Sequence, residues 1–163
     1  MKYLLFFLCI SLLTGCARKR YEVQTGLDFS TRYTVKRAAM GAGIAGIAGA
    51  TWGVHETAVH HPDRIPARWN RQFWDGRESW RNKYRHGDPA AGPAYFGSTT
   101  FLAWTTDAKH LFGTLHRTTL FGSAVVISIG QRRPAWYYLI DAGISFVAFS
   151  AGFHWVYSVA FKS

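Results

Sequence analysis

The sequence predicts an all-α protein: a small membrane-embedded helical bundle that carries an interfacial aromatic and basic segment. Three observations lead there. Residues 38–54 contain no charge, and 135–161 contain one; runs of that length and character suit helices in a bilayer. Small residues recur every four positions in the first run, a spacing that lets helix backbones approach closely in lipid. Between the apolar stretches, Trp and Tyr alternate with Arg and Lys, the composition of a membrane–water boundary. The chain has 163 residues, enough for one domain. Its net charge of +10 and its 17% aromatic content, with seven Trp, favour anionic partners such as phospholipid headgroups.

Residues 1–15 read as a signal peptide or signal anchor. Lys2 precedes an apolar run that ends in Leu13-Thr14-Gly15-Cys16. A charged start, a short apolar core and small residues at a cleavage site define a secretory signal. These residues resemble a bacterial lipoprotein signal. The resemblance implies an N-terminal acyl lipid on Cys16 and a place in the bacterial cell envelope, with the inner membrane favoured. Arg18, Lys19 and Arg20 follow at once, and by the positive-inside rule they favour an N-terminus on the outer side. The two cysteines are Cys9 and Cys16, so a processed chain would have neither a disulfide nor a zinc–thiolate site. Residues 16–37 are polar and read as a tether.

A single helical membrane domain is expected over 38–163, with apolar segments at 38–58, 99–130 and 135–161 and an interfacial segment at 59–98. In the first segment Ala38, Ala42, Gly46 and Ala50 are four apart, as are Ala45, Gly49 and Gly53. The pattern resembles the glycine zippers of small envelope lipoproteins, which implies helix packing through Ala42, Gly46 and Ala50. The same stretch holds Gly41-Ala42-Gly43-Ile44-Ala45-Gly46, which fits G-x-G-x-x-G. A dinucleotide site needs a preceding strand and a parallel sheet, and the sequence provides neither.

The polar centre is divided by Pro62, Pro66, Pro89 and Pro93. Within it Trp69, Arg71, Trp74, Arg77, Trp80 and Lys83 are expected to meet lipid headgroups or an acidic partner. Aromatic stacking with positive charge also suits nucleic acid, but the envelope signal and the lack of a nucleic-acid fold motif argue against it. A loop folded back on the helices, with Trp69, Trp74 and Trp80 as a small core, is compatible with the interfacial reading.

In the second apolar region Asp107, His110, Thr114 and Arg117 fall at helical spacing and form a polar stripe. Such a stripe faces the bundle interior or the water interface. The segment 135–161 is the clearest spanning candidate. Trp136, Tyr137 and Tyr138 mark one end, and Trp155 and Tyr157 lie near the other. Its one formal charge, Asp141, is expected to pair with Arg132, Arg133 or the Asp107–Arg117 stripe; a proton or ion path is the alternative. The blocks Ser79-Trp80-Arg81-Asn82-Lys83-Tyr84, Gly97-Ser98-Thr99-Thr100 and Thr106-Asp107-Ala108-Lys109-His110-Leu111-Phe112 resemble those of small uncharacterised bacterial membrane proteins. That resemblance implies the class and no mechanism.

The sharpest chemical candidate is His55, Glu56, His60 and His61. Imidazole and carboxylate suit zinc or iron, and clustered histidines at membrane depth resemble part of the di-iron membrane oxygenases. The second histidine falls one position late for H-E-x-x-H, and a solvated polar cap on a helix end explains the cluster more simply. No nucleophile elbow or P-loop is present. The expected function is a non-enzymatic structural or accessory envelope protein, a subunit of a larger assembly with a protein partner or as a homo-oligomer. No cofactor is expected, and nucleic acid is not an expected partner. A His-ligated metal enzyme and a solute or proton pathway are the alternatives.

Overall fold

The computed structural model describes residues 27–129 and 133–162, with side chains from residue 35 onward. Cys16, the signal, most of the expected tether and Arg132 lie outside the described residues. The chain divides into two units, Met1–Ser30 and Thr31–Ser163, and the packing below belongs to the second.

Four α-helices occur among the described residues. Helix α1 (Leu27–His60) has 34 residues and is about 51 Å long. It begins inside the stretch expected to be a tether. Helix α2 (Arg71–Trp74) is a single turn started by Asn70, whose side chain accepts a hydrogen bond from the Gln72 N–H. Helix α3 (Ala108–Ser128) has 21 residues. Helix α4 (Ala135–His154) continues as a wider π-type turn over Trp155–Ala160. The 26 residues Ala135–Ala160 are long and apolar enough to cross a membrane, and among the described residues no other helix is. Helix α1 is uncharged over 38–54, yet Gly and Ala supply much of that run, and they bring little apolar surface.

Helices α1, α3 and α4 alternate in direction. At one end Phe161, just past α4, packs edge-on against Trp69, while Trp74 meets Phe112 in the first turns of α3. At the other end the Arg37 side chain donates to the Ile129 carbonyl, and Arg133 donates to that of Ile127. Residues 61–107 form a cap at the first end.

The α1–α4 contact is backbone against backbone. A Cβ on Gly49 would lie 1.9 Å from the Phe149 carbonyl oxygen, and one on Gly152 would lie 2.1 Å from that of Gly46. No side chain larger than hydrogen fits at either position. Helix α3 is tied to α1 by polar contacts. The Ser123 hydroxyl donates to the Gly41 carbonyl at 2.8 Å, and His116 Nδ1 donates to that of Ala48 at 3.1 Å.

The cap has a small core of its own: Ala58, Ile65 and Ala108, with Trp69, Phe73, Trp74, Phe112 and Phe161 packed against them. Its turns are fastened by polar side chains. Asp75 accepts from the Arg77 backbone N–H and grips its guanidinium with both oxygens at 2.9–3.0 Å. The Gly76 N–H donates to the Ala58 carbonyl at 3.0 Å, docking this turn on the last turns of α1. The Asn82 side chain donates to the carbonyls of Gln72 and Thr106, 2.9 Å each, and accepts from the Gln72 amide. Three separate cap segments therefore meet at one amide.

Candidate functional site

The densest polar constellation lies where the cap meets α3. Asp107 is the N-cap of α3: its extended backbone ends the preceding turns, and Oδ1 accepts from the His110 N–H at 2.8 Å. This is why the helix starts at Ala108 and not near residue 99, as the apolar run 101–106 suggested. Asp107 is 1% exposed, and Oδ2 also accepts from the Thr106 hydroxyl at 3.0 Å. The three-residue spacing brings the His110 ring back over the carboxylate, with Nδ1 2.8 Å from both oxygens. His110 Nε2 lies 2.9 Å from the Lys83 Nζ, which arrives from the cap.

The chemistry of these groups fixes the proton positions. A lysine ammonium has only protons to give. His110 Nε2 therefore accepts, and Nδ1 carries the proton donated to Asp107. The result is a chain from ammonium through neutral imidazole to carboxylate. Burial pushes the Asp107 carboxyl up, but the hydrogen bonds from the His110 ring and backbone and from the Thr106 hydroxyl outweigh it and hold the group below its ordinary value. This chain orients Lys83 and locks the cap to α3.

The histidines of the candidate metal cluster diverge. His55 Nδ1 donates to the Lys109 carbonyl at 2.8 Å, and its ring stacks on Trp52. Glu56 pairs with His60 at 3.4 Å on the helix surface. His61 packs edge-on against Tyr157. Among the described residues, no group of three or more His, Cys, Asp or Glu is placed to hold a metal ion.

The polar residues expected inside a membrane separate into two ends. Asp107 and His110 sit at the cap, and Arg117 is exposed on α3. Asp141 sits toward the far end of the bundle, 2.7 Å from the Arg133 guanidinium, which also lies over the Tyr138 ring. Both side chains are buried, so the single charge of α4 is neutralised locally, by one of the partners its position near the helix start suggested.

The interfacial set is also divided. Trp69 and Trp74 pack against each other at a tilt of 44° and line the cap core. Arg77 is held by Asp75, and Lys83 by His110. Arg71 and Trp80 are exposed. Of the small residues singled out for packing, Gly46 and Ala50 lie against Gly152. Ala42 is half-buried. The tightest positions, Gly49 and Gly152, belong to the second small-residue series and to α4. Sequence reasoning also passed over Asn82 and the exposed rings of Phe96 and Phe101. The Asp107–His110 spacing was the one legible signal for the relay, as an N-cap followed three residues later by its donor. No protein-family model matches the chain, and no curated protein or solved structure is significantly similar to it.

Proposed function

We propose that this chain is an integral membrane protein with a structural or accessory role, a subunit built into a larger envelope assembly. One observation carries the reading: the outward face of α4. Leu139, Ile140, Ile144, Phe146 and Val147 are exposed along its length, while Asp141 and Ser145 turn inward and are buried. Exposed apolar surface of this extent is costly in water and is the normal exterior of a helix in lipid. The glycine face of α1 is already occupied by α4, while α4's outer face is open to lipid or a partner. The internal satisfaction of the cap, down to the Asp107–His110–Lys83 chain, favours a scaffold.

Alkaline extraction of native membranes, followed by gentle-detergent purification with metal analysis, tests this. The expected result is retention in the membrane pellet and elution with a protein partner at fixed stoichiometry. Release by alkali would end the membrane reading. A partner-free monomer would end the subunit reading, and stoichiometric iron or zinc would transfer the case to an enzyme.

A further inference from the structure

The cap presents four exposed rings within ten residues: Tyr95, Phe96, Phe101 and Trp104. Phe96 is 86% exposed and Phe101 63%. The loop that carries them is rigidly built. Ser98 is fully buried, donates to the Lys83 carbonyl at 2.8 Å, and accepts from the Tyr95 N–H. Gly97 has φ +82°, and a Cβ there would lie 2.9 Å from the Phe101 ring. The Leu102 N–H closes back on the Gly97 carbonyl at 2.9 Å. Phe96 and Phe101 then meet edge to face at 5.7 Å. A fold that spends a buried serine and a positive-φ glycine to hold two phenylalanines outward gives them a surface to meet.

The level of the loop identifies that surface. The apolar span of α4 ends at Ala160, and Phe161 packs on Trp69 beside Trp74 and Phe112. The first turns of α3 are therefore level with the end of the span, and Trp104 and Phe101 directly precede them in the chain; aromatic rings concentrate at such ends in membrane proteins. At the root of the loop, exposed Arg85 donates to the Pro93 carbonyl, and exposed Arg81 lies over the Trp80 ring. Guanidinium groups beside exposed rings match lipid phosphates above acyl chains.

We propose that the 95–104 loop is a second membrane contact: an aromatic foot seated in the headgroup zone of the bilayer that α4 crosses, with Arg81 and Arg85 on lipid phosphates. The inference rests on the membrane reading of α4. The foot holds the cap down on the bilayer surface, and it differs from the Trp69–Trp74 region, whose rings are spent on the cap core.

Hydroxyl-radical labelling of the full chain tests it, in vesicles of phosphatidylcholine with about one-third phosphatidylglycerol, with mass spectrometry reading each ring separately. Exposed His86 reports solvent, and Phe146 on the outer face of α4 reports lipid. After correction for intrinsic reactivity, Phe96 and Phe101 are expected to react roughly fivefold or more slowly than His86. Fast labelling of both with Phe146 still protected overturns the foot and leaves the membrane reading standing. Fast labelling of Phe146 as well removes both. Protection that disappears when the protein is diluted in lipid assigns the rings to a second copy and overturns the proposal.

Discussion

Replacing Gly49 with Ala adds one methyl group at the α1–α4 crossing. That carbon would lie 1.9 Å from the Phe149 oxygen and 2.9 Å from the Phe153 nitrogen. An unstrained carbon–oxygen contact is about 3.3 Å, so the helices must part by about 1.4 Å. A gap of about 1 Å already forfeits up to half of a dispersion contact, and the obstacle is backbone, which cannot rotate away. We expect a cost near the upper end of overpacking, about 3 kcal/mol. Ala is the better helix former by about 1 kcal/mol, so the net loss is about 2 kcal/mol. Gly43 supplies the control: it is exposed on the same helix, and a Cβ there meets nothing within 4 Å. Gly43→Ala keeps the propensity gain and should stabilise by up to about 1 kcal/mol. The two variants thus differ by about 3 kcal/mol, with the propensity contribution cancelled. Reversible unfolding in mixed detergent micelles, followed by circular dichroism, measures the difference. Equal midpoints for the two variants would refute the backbone-to-backbone crossing.

Two further outcomes follow from the polar clusters. Folding lowers the Asp107 carboxyl, so its contribution is complete above the ordinary aspartate value of about 4 and is lost as pH falls through the lower folded value. Asp107→Asn should therefore weaken the fold at neutral pH and flatten its acid sensitivity below about pH 4, read by acid titration of cap protection in hydrogen exchange; an unchanged profile would show that the carboxylate contributes nothing there. At the other end, Arg133→Met leaves Asp141 buried without its guanidinium and should cost about 3–5 kcal/mol. Adding Asp141→Leu should recover most of that loss, and a double variant no better than the single one would show that the pair is not coupled.

The long elements were legible because each holds a long stretch with little or no charge: 38–54 in α1, 118–128 in α3 and all but Asp141 in α4. The helix expected at 135–161 is found at Ala135–Ala160, long and apolar enough to cross a membrane, since no charged residue but Asp141 has to be accommodated there and Arg133 accommodates it. The start of α3 was misplaced because an apolar run from Phe101 looks helical until the Asp107 side chain is seen to occupy the cap position. The small residues of α1 announced a close approach but not its partner: Gly46 and Ala50 of one series and Gly49 and Gly53 of the other all meet α4, whose Gly152 is about a hundred residues distant. Trp69 and Trp74 show the limit of composition. A ring beside arginines reads alike whether it meets lipid or Phe112, and only the chain's return at α3 and α4 separates the two. The Lys83–His110 contact left no local trace, because it joins elements that nothing in their spacing relates.

The cap core draws on residues from every part of the domain: Ala58 from α1, Trp69 and Trp74 from the cap, Ala108 and Phe112 from α3, and Phe161 after α4. This arrangement sets an order of events during synthesis. Residues 61–107 leave the ribosome early, yet their core has no lid until α3 has turned back and α4 has been completed. Until then Trp69 and Trp74 lack the edge of Phe161 and stand as open aromatic surface, the kind of surface that attracts chaperones or misassembles. Closure of the cap therefore reports that the last helix has arrived, and a chain stalled before α4 carries its own exposed mark of incompleteness.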